Sequence, residues 1–287
     1  MDSKPSTSRL LLLLTLSITF IPAAVFAASG EESSSWRSLL RQVVRNRWTS
    51  GGGDHQDAVE KAMMKEITLK NYCESWRLNV ELHNVRGFGA VPAECTSFVA
   101  KYMSSSQYKS DVQRATDEAA LFLTSSFSLA GDGRDIWVFD VDDTLLSTLP
   151  FYKSHQFGGS AANRTLLEEW MAKEKAPAVE GMLDLYHDIR RRGLTIFLLS
   201  SRPEHLRDAT DGNLIKAGFH GWARLILRCD EDGSGRSVQK YMSEERKKMV
   251  NEGYRLWGMA GAQWSSLLGH PKAKRTFKVP NPMYYIE

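Results

Sequence analysis

The chain has no basic tract long enough to suggest nucleic acid. Its 287 residues carry a net charge of only +3, and the clusters Arg190-Arg191-Arg192 and Lys272 to Arg275 are short. Such runs fit a solvated helix end and a loop. Zinc is excluded on different grounds. There are three cysteines, Cys73, Cys95 and Cys229, and their spacing matches no zinc site. No internal repeat is visible, and no segment after the first 27 residues approaches a membrane span. Acidic residues are missing from one long stretch: Gly253 to Ile286 contains neither Asp nor Glu. What remains is an ordinary globular composition, 42% hydrophobic and 25% charged, enough for one large domain or a domain with a small appendage.

The first residues read as a targeting signal. Lys4 and Arg9 supply positive charge, Leu10 to Phe20 is apolar, and Val25-Phe26-Ala27 offers a small-residue cleavage site. A secretory signal peptide over 1–27 is expected; Thr15, Ser17, Thr19 and Pro22 interrupt the apolar run and weigh against a retained anchor. In an oxidising compartment two cysteines pair and one is left over. Cys73 and Cys95 share a sequence block and are the expected disulfide, while Cys229 ends an apolar strand and is expected as a buried free thiol. Asn163-Arg164-Thr165 is an N-glycosylation sequon in a Gly-rich, loop-like neighbourhood. The Gly/Ser-rich pieces Ser29 to Ser35 and Thr49 to Asp54 flank a basic amphipathic stretch, Trp36 to Trp48, so 28–67 is taken as a variable N-terminal segment.

Residues 56 to 128 look mainly helical, with an irregular piece from Val85 to Pro92. From Asp135 strands and helices alternate. Ile136 to Phe139, Thr195 to Leu199, Arg224 to Leu227 and Arg255 to Trp257 read as strands. Val179, Met182, Leu183, Tyr186 and Ile189 recur at helical spacing, with Gly193 closing that helix. Pro203 is expected to open the next helix and Gly218 to end it; Ser243 is expected to cap a later helix ending at Gly253. The succession predicts an α/β fold, a parallel sheet with helices on both faces.

The most informative stretch is Asp135 to Thr148, DIWVFDVDDTLLST. An apolar strand delivers Asp140 and Asp142 at its C-terminal end, where open α/β sheets do their chemistry. Residues i and i+2 of an extended strand point the same way, so both carboxylates can address one substrate atom if the chain stays extended. An acidic turn after a strand accounts for one Asp and poorly for three in four positions.

The pattern DxDxT resembles the first motif of the haloacid dehalogenase (HAD) superfamily of phosphotransferases. The blocks NYCESWRLNVELHNVRGF, KYMSSSQYKSDVQRA, DVDDTLLSTLPFY, LEEW, LILR and FKVPNPMYYIE resemble the plant acid phosphatase and vegetative storage protein family over roughly residues 68–287. The resemblance implies a HAD-like (Rossmannoid) domain over 68–287, a helical N-terminal region, and a small cap from 151–175. It implies that Asp140 is the nucleophile that becomes an aspartyl-phosphate. Asp142 would protonate the leaving group and then activate water. It implies Mg²⁺ held by Asp140 and the Asp142 backbone carbonyl. The second motif, an apolar strand ending in Ser or Thr, places Ser200 on a phosphate oxygen. Ser200 also reads as a residue at a helix N-terminus, where free N–H groups favour an anion. Arg202 is open between phosphate and a structural carboxylate. A small phosphate monoester is the implied partner, a homodimer is suggested by the storage relatives, and the implied destination is extracellular or vacuolar.

Two motifs depart from the family. Its Tyr-Lys-Ser block, whose Lys neutralises the phosphate, reads Tyr241-Met242-Ser243 here, and Lys240 is expected at the surface. Its metal-binding block carries an Asp and another Asp four residues on; here those positions are Ala262 and Ser266. Mg²⁺ prefers oxygen ligands, commonly one or two carboxylates with water. It is therefore expected to bind weakly or not at all. Loss of one preorganised transition-state charge costs on the order of 100-fold or more in rate. The expectation is an acid-phosphatase-like protein with weak or lost hydrolysis. A non-catalytic storage or phosphoester-binding protein on the same fold is the alternative.

Overall fold

The computed structural model describes residues 53–125, 128–161, 163–229 and 235–287, with side chains from residue 61 onward. The signal-peptide expectation over 1–27 and the segments at 29–35, 36–48 and 49–52 lie outside the described residues.

Among the described residues three helices precede the first strand: α1 Gly53–Glu81, α2 Thr96–Met103 and α3 Ser106–Ser125, with a 3-10 turn Ala93–Cys95 before α2. A Cys73–Cys95 disulfide joins α1 to that turn, as expected, with both residues buried. Then follow β1 Asp135–Phe139, α4 Leu149–Ser154, α5 Arg164–Met171, α6 Met182–Arg191, β2 Thr195–Pro203, α7 Arg207–Lys216, β3 Arg224–Arg228, α8 Val238–Asn251, β4 Arg255–Gly261, α9 Trp264–Leu267 and β5 Arg275–Lys278. Asn163 caps α5: its side-chain oxygen accepts from the Leu166 amide at 3.3 Å.

The five strands form one parallel sheet in the order β3-β2-β1-β4-β5. Every residue of β1 is buried, because both faces of the central strand are covered. Side-chain alternation divides the core. Trp137, Phe139, Ile196 and Leu198 belong to one apolar cluster, and Ile136, Val138, Phe197 and Leu199 to the other. Gly258 on β4 meets this core closely: a Cβ there would stand 2.2 Å from the Trp137 ring, so only glycine fits.

Several local expectations are corrected. β2 runs on to Pro203, and a 3-10 turn Glu204–Leu206 separates it from α7. Ser200 therefore lies in the strand rather than at a helix N-terminus. Helix α8 begins at Val238, with the Ser237 side chain accepting from the Lys240 amide at 3.3 Å. Ser243 sits inside that helix and donates to the His270 carbonyl. Cys229 is exposed rather than buried, because β3 is an edge strand and the chain leaves the sheet after Arg228. The short edge strand β5, Arg-Thr-Phe-Lys, has too little apolar content to announce itself.

Candidate active site

The chain leaves β1 at the point where strand order reverses: β2 and β3 lie on one side, β4 and β5 on the other. Open α/β sheets bind ligands at such a switch point, beyond the C-terminal ends of the strands. Asp140 is the first residue there, and its amide donates to the Ala260 carbonyl of β4 at 3.0 Å. The turn that follows is tight: the amides of Leu145 and Leu146 both return to the Val141 carbonyl.

Asp140 is buried, and each of its oxygens has a donor. The Val141 amide donates to Oδ1 at 2.7 Å and the Ser266 hydroxyl donates to Oδ2 at 2.5 Å. Burial pushes its carboxyl up to about 7; the Ser266 hydrogen bond opposes this, the Asp142 charge adds to it, and Arg202 lowers it slightly.

Asp142 is taken up by Arg202. The guanidinium donates from Nη2 to Oδ1 at 2.7 Å and from Nε to both oxygens at 3.1 and 3.2 Å. Arg202 is itself buried and donates from Nη1 to the Thr210 hydroxyl at 3.1 Å. Of the two roles left open for Arg202, the geometry displays the carboxylate pairing. Ser200 is fully buried and its Oγ accepts from the Arg202 amide at 3.2 Å.

The substituted positions are apolar in context as well as in name. Met242 is buried in the cluster that holds Val138, Leu199 and Met259. Ala262 is buried, and Lys240 is exposed on α8. Arg246, one turn after Met242, is also fully buried, but its guanidinium is spent on the backbone carbonyls of Ser266, Leu268 and Pro271. It fixes the loop that carries Ser266. Sequence gives no signal for this role, because Arg246 stands in the run of five charges from Glu244 to Lys248.

Magnesium, the ion generally used in the HAD superfamily, finds a poor donor set. Among the described residues no group of three or more His, Cys, Asp or Glu side chains comes together. Asp140 is hydrogen-bonded on both oxygens, the Asp142 carboxylate faces a guanidinium, and a methyl and a hydroxyl stand at 262 and 266. These residues do not fit a hard divalent cation that wants carboxylate oxygens.

A third carboxylate was missed as a distinct element. Asp143 is fully buried at φ +49°, a left-handed conformation that Asp tolerates better than most residues. It accepts from the Thr148 amide at 2.8 Å and hydroxyl at 2.5 Å, from Asn281 Nδ2 at 3.3 Å and from the Tyr284 hydroxyl at 2.7 Å. Burial lifts its carboxyl to about 6 against those bonds. Asp143 thus ties the acidic loop to the C-terminal segment. Glu81 at the end of α1 holds the same segment through Lys278 at 2.7 Å and the Asn281 amide at 2.8 Å. Beside Asp142 lies a cavity of about 250 Å³, lined among others by Ser201, Arg202, Leu167, Met171 and Tyr284.

Comparison with known proteins gives the family and the fold. The family described as HAD superfamily, subfamily IIIB (Acid phosphatase), matches residues 59–287. The chain is 44% identical to "Acid phosphatase 1" of Solanum lycopersicum over 77% of its length and 86% of that protein. It is 40% identical to the "Stem 28 kDa glycoprotein" of Glycine max, covering 75% and 84%. It is 35% identical to "Vegetative storage protein 2" of Arabidopsis thaliana, covering 96% and 98%. Among solved structures, the class C acid phosphatase from Bacillus anthracis superposes with a TM-score of 0.56 at 19% identity, over 67% of this chain and 86% of that one, a likeness of fold.

Proposed function

Since the chain belongs to the HAD superfamily, subfamily IIIB of acid phosphatases, we propose that it is an acid-phosphatase-like protein of the secretory pathway in which hydrolysis of phosphate monoesters is weak or lost. One observation carries this. Around the buried Asp140 stand Ser266, the Val141 amide and the Asp142–Arg202 pair, while Ala262 is buried and Met242 lies in an apolar cluster. No lysine and no further carboxylate is among them to neutralise an incoming phosphate or hold a metal.

The chemistry left to the chain's own residues is limited but definable. An Asp140 oxygen attacks phosphorus, the P–O bond to the leaving group breaks, and Asp142 gives that oxygen its proton. Water then attacks the aspartyl-phosphate while Asp142 takes a proton back, releasing phosphate and restoring Asp140. The Ser200 hydroxyl is the assigned holder of a phosphate oxygen. For Asp142 to act, Arg202 must yield part of its three-contact grip. Arg202 is also a cation that lowers the Asp140 carboxyl. Two missing charges, each worth on the order of 100-fold in rate, leave little turnover.

The residues 151–175 serve in this picture as a small cap, built on α5. The Cys73–Cys95 disulfide, the exposed sequon at Asn163 and the glycoprotein relatives support passage through the secretory pathway to the vacuole or outside the cell. Among the described residues no helix is long and apolar enough to cross a membrane. The storage relatives suggest a homodimer, which the solution mass would reveal. The same missing charges, with 32–35% identity to vegetative storage proteins, favour a non-catalytic storage or binding role as the second reading.

The test is hydrolysis of an aryl phosphate by the purified mature protein from pH 4 to 8, with Mg²⁺ or EDTA and with Asp140→Asn as blank. Turnover within about tenfold of the blank, unchanged by Mg²⁺, is expected. Efficient turnover that vanishes in Asp140→Asn would overturn the proposal.

A further inference from the structure

The C-terminal segment FKVPNPMYYIE has no part in the chemistry above, yet its placement gives it one in recognition. After β5 the chain runs back across the acidic loop and is fastened at several points. The Asn281 amide and side chain meet Glu81 and Asp143. Gln263 brackets the next residues, its Nε2 donating to the Tyr284 carbonyl at 3.1 Å and its Oε1 accepting from the Ile286 amide at 3.1 Å. The Glu287 carbonyl accepts from the Val238 amide at 2.7 Å, at the start of α8. Close packing adds to this: at Gly158, φ +86°, a Cβ would collide with the Met283 carbonyl. The Tyr284 ring stacks on Tyr152 with centroids 4.9 Å apart, and its hydroxyl reaches Asp143.

This fastening turns the segment into a fixed wall of the cavity beside Asp142. The cavity is divided chemically. Asp142, Ser201, Arg202, Arg164, Glu168 and Arg228 give it a polar lining, while Leu167 and Met171 of α5 and Tyr284 and Ile286 of the C-terminal segment contribute apolar lining. Its volume of about 250 Å³ lies near the lower end of small-molecule sites, about 300 Å³. A ligand that fits buries a compact apolar body here, while the anionic head is what the proposed phosphoester centre would take. Asp143 also joins Tyr284 to the loop that bears Asp142.

We propose that the C-terminal segment, through Tyr284 and Ile286 together with Leu167 and Met171, selects anionic ligands whose organic part is apolar, aryl esters above polyol or alkyl ones. The anionic head rests on the proposed phosphoester centre; the preference for the body does not depend on turnover. Phosphonates separate the two, since their P–C bond is not hydrolysed. Affinity of the full mature protein for phenylphosphonate and methylphosphonate is measured by calorimetry, alongside Ile286→Ser, Leu167→Ser and Tyr284→Phe. Burying a ring's worth of apolar surface predicts at least about a tenfold preference for the phenyl compound. The preference falls to about threefold or less in Ile286→Ser and Leu167→Ser, with methylphosphonate affinity unchanged. It persists in Tyr284→Phe, which keeps the ring and loses only the bond to Asp143. Both residues chosen for Ser are partly exposed, so the fold tolerates the change. Equal affinities in the native protein overturn the apolar-body assignment and leave the anion centre standing. A phenyl preference that survives both Ser variants overturns the wall. Binding of neither compound at 10 mM removes both the inference and the phosphoester centre beneath it.

Discussion

Asp140 and Asp143 stand three residues apart on one loop, both buried and both pushed up by burial. Their surroundings differ in kind. Asp143 accepts from an amide, two hydroxyls and an amide side chain, and through them it joins the loop to the C-terminal segment. Asp140 has its own neighbour's amide and the Ser266 hydroxyl. The structural carboxylate has a complete set of donors. On the proposed function the second, Asp140, stands without a lysine or a metal to balance its charge. A buried carboxylate without compensating charge is costly; here a serine donor and a low charge load replace lysine and metal. The difference teaches that two buried carboxylates on one loop can have unlike duties: Asp143 is saturated with donors that tie the loop to the C-terminal segment, while Asp140 has only two.

The contrast can be broken most directly at Asp143. Asp143→Ala strands the Thr148, Asn281 and Tyr284 donors and is expected to cost about 3–5 kcal/mol, whereas Asp140→Asn is expected to be nearly neutral in urea unfolding at pH 7. Equal losses would erase the distinction. Next in size is Met242→Ala, expected to cost about 2–4 kcal/mol as a core truncation; a loss below about 1 kcal/mol would mean that Met242 is not packed as its cluster requires. Ser266→Ala is smallest, about 1 kcal/mol for one hydrogen bond to Asp140. Its companion Ser266→Thr should restore the loss.

The same pair sets a pH dependence. Asp140 and Asp143 are raised, to about 7 and about 6. A raised carboxyl adds stability below its unfolded pKa of about 4 and forfeits it as pH rises through the folded value. Asp135, held by Arg255 and hydrogen-bonded to Trp257, is lowered to about 2. Its contribution is present above about 4 and disappears as pH falls through about 2. The melting temperature should therefore peak between about pH 4 and 5 and decline toward pH 8. A peak at pH 8 would contradict the burial of both carboxylates.

Much of this was legible in the sequence because apolar periodicity and the DVDDT block are local signals. The first four strands along the chain, the Asp140 and Asp142 positions after β1 and the disulfide follow from short windows of sequence, and the two neutral substitutions from the family resemblance. What could not be read depends on contacts far apart in the chain. The grip of Arg202 on Asp142 spans 60 residues and the Tyr284–Asp143 bond spans 141. Arg246 looked like one solvated charge among several, and only the loop after β4 shows that it is buried on three carbonyls. Ser200 was misplaced because Pro203 looked like a helix start, while pairing of Pro203 with Arg228 keeps the strand going.

The central claim is that charge, and not scaffold, has been lost at Asp140. Its most direct test is the double variant Met242→Lys/Ala262→Asp, assayed with Mg²⁺ on an aryl phosphate beside the native protein. The account predicts a gain of about 100-fold or more that EDTA abolishes and that Asp140→Asn in the same background removes. A folded double variant that hydrolyses no faster than the native protein would contradict it.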